Sequence, residues 1–342
     1  MTTTTTTSTM NAFTTPVINP SEYHHATTTT TSSPNSPRII PLAAYLPALH
    51  ASFSAAHLPH SRFLDMTQTR DLTSPYPSML PPAPLFHKTL SSLAIRPTDT
   101  LVLYDATDIG TYHAPRLAFM CRFFGHRGGV HVLNNFREYV GQGYPISSGE
   151  ICLIDVDVDL GKGVKSTSEK REGGYTLPNK DEGGPYNRVI GFSEMRDIVL
   201  RKDRRVKIVD SRVPALFHGS PGVSRDEMLK RGGHMCGAVN VPLAAVLEPV
   251  SGAVLSKVQL RDVLSAVGVI GAGPFGEGEI KEEGEGEREW VFTCNSGVTA
   301  AALDLVFEIV GVKGRRRVYD GSWGEWGRRV DEGDGDGLVV FG

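Results

Sequence analysis

The stretch VFTCNSGVTAAALDLVFEIVGV, residues 291–312, sets one cysteine, Cys294, between a short apolar run and a long alanine-rich one. Asn295, Ser296, Gly297, Val298 and Thr299 follow it, four small or branched residues around one glycine. Residues of this kind let the backbone curl so that successive N–H groups face the sulfur where a helix begins. A free cysteine is mostly protonated at neutral pH, so a nucleophilic cysteine needs its anion stabilised. A helix end contributes about 0.3 to 2 kcal/mol, and each N–H to a charged acceptor about 1.5 to 3 kcal/mol. Together these support a thiolate without a neighbouring base. The competing reading is a cysteine that fills a core; the order strand, cysteine, small-residue loop, helix favours the reactive one.

Two chemistries use a cysteine cradled in this way. Phosphoryl transfer needs an arginine six places after it to close bidentately on phosphate oxygens, and that place is Ala300. Sulfur transfer needs only an attacking thiolate and donors that stabilise a persulfide. Cys121, Cys152 and Cys236 are scattered singly, with no CxxC or Cys/His ligand spacing, so neither a metal site nor a disulfide framework is expected. A reducing compartment fits. A formal net charge of -3 carries no electrostatic footprint for nucleic acid or an anionic membrane, and no apolar run approaches the roughly 18 residues that span a bilayer. The Thr-rich amino end has no acid before Glu22, as in a transit peptide, but no base before Arg38 either. Localisation stays open between mitochondrion and cytoplasm.

The elements that must position Cys294 occur twice. AHLPHSRFLDM (56–66), TLVLYD (100–105), APRLAFMCRFFGH (114–126) and VHVLN (130–134) run in the same order as GHMCGAVNVPL (233–243), EWVFTC (289–294), TAAALDLVFEIVG (299–311) and RRVYD (316–320). Asp105 occupies the place of Cys294 in the first copy, so the second half alone can hold a thiol there. Short β-branched runs alternate with amphipathic stretches such as SKVQLRDVLSAVG (256–268), which predicts α/β architecture: two similar domains, each a mainly parallel central sheet with helices on both faces. In such sheets the reactive crevice lies beyond the carboxyl ends of the strands. Residues 14–158 are expected to form the first domain, inactive and interrupted by a polar insertion at 26–37. Residues 159–187 form a linker, and 188–330 the catalytic domain with an acidic, glycine-rich loop at 276–289. Residues 1–13 and 331–342 read as tails.

CNSGVTA, VYDGSWGEW (318–326), IVDSR (208–212), GHMCGAVNVP (233–242), SPYPSMLP (74–81) and FGHRGGVHVLNNF (124–136) resemble the tandem-domain rhodaneses, the family of 3-mercaptopyruvate and thiosulfate sulfurtransferases, over Thr15 to Arg328. The resemblance implies that Cys294 cycles between thiolate and persulfide in the loop Asn295 to Thr299, with no organic cofactor. It also implies a sulfur donor of the mercaptopyruvate or thiosulfate kind and a thiol acceptor such as thioredoxin, or cyanide. Thiosulfate-preferring members carry basic residues after the cysteine; Asn295 and Ser296 are similar to the mercaptopyruvate-preferring pattern. Arg225 falls at a substrate-arginine position. Leu216 stands where a second such arginine is usual, and Thr67 and Ser78 stand where some members carry an aspartate and a histidine. These departures keep a second class in view, a low-activity rhodanese scaffold that binds a partner. Arg212 is expected to pair with a carboxylate of its own domain, and Trp323 and Trp326 to pack in the core.

Overall fold

The computed structural model of the protein describes residues 12–29, 38–150, 185–220, 232–271, 288–331 and 337–342. The first half builds a sheet from β1 (Val17–Ile18), β2 (Ile39–Tyr45), β3 (Arg62–Asp65), β4 (Thr100–Tyr104) and β5 (Val130–Leu133). Its strand order is β1-β5-β4-β2-β3, and every pairing is parallel. The second half builds another from β6 (Val189–Ile190), β7 (Val206–Asp210), β9 (Ala238–Asn240), β10 (Glu289–Thr293) and β11 (Arg315–Tyr319), in the order β6-β11-β10-β7-β9, again parallel throughout. Taken position by position, the two orders are the same. The central strands β4 and β10 end immediately before Asp105 and Cys294, as the repeat requires.

Helices cover both faces of each sheet. In the first half α3 (Ala83–Ser92) and α4 (Ala114–Phe123) pack on Leu42, Leu101 and Leu103. On the other face α1 (Pro20–Thr29), α2 (His50–Ala55) and α5 (Phe136–Gly141) pack on Ala43, Val102 and Tyr104. In the second half α8 (Lys257–Ala266) and α9 (Val298–Val310) cover Val209 and Phe292. There α6 (Phe192–Arg201) and α10 (Ser322–Asp331) cover Ile208 and Val291, with Trp323 and Trp326 buried between as expected. Helix α9 is apolar nearly all round because it is enclosed on two sides: Leu305 joins the first domain's core, while Phe119 of α4 joins the second's. The helix that carries the cysteine loop is therefore also the joint between the halves.

Four expected boundaries move. Residues 26–29 of the supposed insertion continue α1, with the hydroxyls of Thr27, Thr28 and Thr29 bonded back to the carbonyls of Tyr23, His24 and His25 at 2.7–3.0 Å. Phe13, assigned to a tail, is buried in the first core. At the other end Val339–Val340 forms an antiparallel strand, β12, against β8 (His234–Met235), and Leu338 is buried, because this end of the chain is apolar. Glu289, the last residue of the expected acidic loop, begins β10; most of that loop, residues 159–184 of the expected linker and Cys152 lie outside the described residues.

Candidate functional site

Cys294 leaves β10 directly into a loop whose backbone is held from one side by the start of α10. The Cys294 carbonyl accepts from Trp323 N at 2.9 Å, the Asn295 carbonyl accepts from Gly324 N at 2.8 Å, and Cys294 N donates to Ser322 Oγ at 3.2 Å. With these carbonyls engaged outward, the chain turns at Gly297, whose φ is +79°, and enters α9. An L side chain at that φ is strained, and a Cβ would stand 2.6 Å from the Asp320 carbonyl oxygen. Glycine is required here twice over.

One loop amide reaches the sulfur: Ser296 N donates to Sγ at 3.4 Å. Convergence of all the amides of 295–299 on Sγ was expected; the others do not bond it. No side chain caps α9 among the described residues, so the first N–H groups of that helix keep their capacity for an acceptor. The Ser322 hydroxyl lies 4.0 Å from Sγ, but its proton is committed to the Tyr319 carbonyl at 2.7 Å. Cys294 is 2 % exposed. Apolar Phe292 and Ala300 stand in the cluster around it, and the polar side of the sulfur is the loop. Thr299 is fixed by its hydroxyl, 2.7 Å from that of Ser211.

The matching place in the first half is filled differently. Asp105, buried at the end of β4, accepts from Tyr112 N, His113 N and Ala114 N at 2.8–3.0 Å. A carboxylate thus saturates, in the first copy, the helix-start amides that the second copy leaves available beside a thiol. Burial outweighs these three bonds and raises the Asp105 pKa to about 6 from an ordinary 3.8. The folded state then binds this proton more tightly than the unfolded one, so stability falls as pH rises from about 4 to about 6 and is level above. In an Asp105→Asn variant that slope is expected to vanish: its melting temperature minus that of the wild type should increase from pH 4 to 6 and then stay constant. A difference that does not change over this interval would remove the titration assigned to Asp105.

The other residues singled out in the sequence fall as follows. Arg225 lies outside the described residues. Leu216 is half-buried in α7 (Pro214–His218). Thr67 caps its own turn, its N and Oγ1 on Asp65 Oδ1 at 2.8 and 2.7 Å, and Ser78, at φ +58°, offers its carbonyl to Arg116. Neither is placed as an acid or base. Arg212 is structural as expected: its guanidinium holds Asp210 at 2.6–3.0 Å, donates to the Gly233 carbonyl and lies 4.2 Å from the Trp323 ring centre. Cys121 is wholly buried, and burial pushes its thiol up to about 12, which keeps it protonated; Cys236 is partly exposed.

Four residues at the site escaped the motif reading. Ser322 and Asp320 belong to the DGSW stretch, and the spacing from Asp320 to Ser322 was the available signal. Arg116 and Tyr112 come from the first domain. The Tyr112 pKa is raised by desolvation first and then by its electrostatic neighbours Cys294 and Asp105, and its backbone N–H is one of the three that Asp105 holds. Among the described residues no group of His, Cys, Asp or Glu is arranged to hold a metal ion, and no helix is long and apolar enough to cross a membrane.

Two like parallel sheets, with a cysteine at the carboxyl end of the second one's central strand, define an α/β protein of tandem rhodanese type. The chain is 31 % identical over 298 residues to the 3-mercaptopyruvate sulfurtransferase of Mus musculus, covering 86 % of each. It is 30 % identical over 301 residues to the thiosulfate sulfurtransferase of Rattus norvegicus, again 86 % of each. Among solved structures it resembles the 3-mercaptopyruvate sulfurtransferase SseA of Escherichia coli, described as having the rhodanese fold, with a TM-score of 0.64 at 20 % identity over 91 % of this chain and 99 % of that one. No family model matches the chain. The chain belongs to the rhodanese family of sulfurtransferases, and its activity is sulfur transfer.

Proposed function

We propose that the protein moves sulfur from 3-mercaptopyruvate to a thiol acceptor through a persulfide on Cys294. The observation that carries this is the contrast between the two halves: three amides closed by Asp105 in the first, and a thiol beside an uncapped helix start in the second. The Cys294 thiolate attacks the donor's sulfur. The carbon–sulfur bond breaks, a sulfur–sulfur bond forms, and the donor's thiol proton ends on carbon as pyruvate leaves. The outer sulfur then stands about 2 Å beyond Sγ, toward the N–H groups that begin α9, which stabilise its charge. A thiolate such as that of thioredoxin, or cyanide, takes the outer sulfur and returns the Cys294 thiolate.

Donor choice follows from charge. Residues 294–299 carry no charged side chain, so from the loop itself the thiosulfate dianion meets amide dipoles only, whereas mercaptopyruvate carries its charge on a carboxylate remote from the reacting sulfur. We expect kcat/KM for mercaptopyruvate to exceed that for thiosulfate by about tenfold or more, with cyanide as common acceptor. The reverse order would make the protein a thiosulfate:cyanide sulfurtransferase; relatives of nearly equal identity are named thiosulfate sulfurtransferase. Absence of turnover with both donors would reject the enzyme reading in favour of a binding scaffold.

A further inference from the structure

The first domain reaches the cysteine loop of the second with one cation. Arg116 lies in the first turn of α4 and is 1 % exposed. Its Nη2 donates to Asp320 Oδ1 at 2.5 Å and to the Ser78 carbonyl at 2.9 Å, while Nη1 points to the Gly297 carbonyl at 3.5 Å, the outer edge of hydrogen-bond distance. The second oxygen of Asp320 accepts from Leu80 N at 2.8 Å. Asp320 in turn presses its own carbonyl oxygen against Gly297, where even a methyl group would collide. The Gly297 peptide is therefore gripped between an arginine of one half and an aspartate of the other.

We propose that Arg116 is a positioning residue for sulfur transfer: across the domain interface, with Asp320, it sets the orientation of the peptide that opens α9. A trans peptide is rigid and planar, with its C=O and N–H pointing in opposite directions. Fixing the Gly297 carbonyl thus aims the Val298 N–H, the first of the uncapped helix. Lysine cannot replace the arginine in this role, because a point ammonium lacks the planar fork that meets Asp320 and the two carbonyls together. Asp105 leaves the first domain without a thiol at the matching position, yet this domain contributes a part that the second half's active loop lacks. The inference rests on the reading that Cys294 carries the sulfur.

The test uses the full chain with Arg116→Lys, which keeps the charge facing Asp320, and Asp320→Asn, which keeps Arg116. For both we expect native circular dichroism, an unchanged KM for mercaptopyruvate and a kcat lowered about 10- to 100-fold, with single-turnover loading of Cys294 slowed by the same factor. Hydrogen–deuterium exchange of the 294–299 segment should quicken about tenfold or more while β10 keeps its protection. Wild-type rates in folded variants, or a loss confined to KM, would overturn the proposal. So would a loss that disappears when rates are divided by the fraction of folded protein, since Arg116 would then be an ordinary interface contact. Where one variant does not fold, the other is read by the same criteria, and if neither folds, a double variant Arg116→Met with Asp320→Leu, which removes both charges, is expected to fold and show the same slow loading. Wild-type protein that turns over without sulfur on Cys294 would refute the parent reading instead, and the exchange measurement distinguishes the two failures because it needs no substrate.

Discussion

Replacing Cys294 with serine is expected to lower sulfur transfer by at least about a thousandfold with either donor, because the reaction has no second route once the nucleophile is gone. The variant should fold normally. Serine is close to cysteine in size, Ser296 N has an oxygen to meet in place of sulfur, and the surrounding wall of Phe292 and Ala300 is unchanged. Neither other described cysteine can substitute. Cys121 lies wholly buried in the core of the first domain, with its thiol held protonated by that burial. Cys236 sits ahead of β9, at the amino end of the parallel strands, whereas the cysteine loop lies at their carboxyl end. Comparison of steady-state rates at equal concentrations of folded protein is the check. Residual activity within about tenfold of the wild type would mean that another group carries the sulfur.

The second large effect is expected at a residue with no side chain. Gly297→Ala places a methyl group 2.6 Å from the Asp320 carbonyl oxygen at a φ of +79°, where alanine is disfavoured. Relief requires the loop to move away from Asp320 or the peptide to rotate. Either change shifts the start of α9 relative to Sγ, and a displacement of about 1 Å at a reacting group costs about a hundredfold in rate. We expect kcat to fall by that order while the melting temperature falls only by the few degrees that about 1–3 kcal/mol of local strain produces in a chain of this size. Wild-type kcat in this variant would show that the loop geometry is dispensable. A melting temperature lowered far beyond this with unchanged kcat per folded molecule would assign Gly297 to stability alone.

Much of this architecture could be read from the chain because its signals are local. Apolar runs such as TLVLY and EWVFT become the buried central strands β4 and β10, and the internal repeat alone sets Asp105 and Cys294 at equivalent strand ends. Ser256 with Gln259 forms the capping box that opens α8, a pattern that spans only four residues. Arg212 found its carboxylate two residues away, in the same short motif. What escaped were contacts between residues far apart in sequence. Arg116 and Asp320 meet across 204 positions, and no spacing rule connects a helix of one domain to the strand end of another. The two terminal segments were misjudged for a related reason. Composition alone marked 1–13 and 331–342 as polar ends, while Phe13 and Leu338 are individually apolar enough to dock on cores supplied by the rest of the chain. The polar row Thr27 to Thr29 likewise continues α1, its hydroxyls bonded to carbonyls one turn back, a local arrangement that a composition argument does not count.

The first domain emerges as more than a remnant of duplication. Its Asp105 closes its own helix start with a carboxylate, so no anion is invited there, and it supplies Arg116 to the neighbouring loop. Its stability and the shape of the second domain's site are therefore joined through α4 and α9.

The most direct test of the whole account is mass spectrometry of the protein after one turnover with mercaptopyruvate in the absence of any acceptor. The expected result is a peptide containing Cys294 that is heavier by one sulfur atom, about 32 Da, formed in step with one equivalent of pyruvate and discharged on adding a thiol. Pyruvate released with Cys294 unmodified, or sulfur found instead on Cys121 or Cys236, would contradict it.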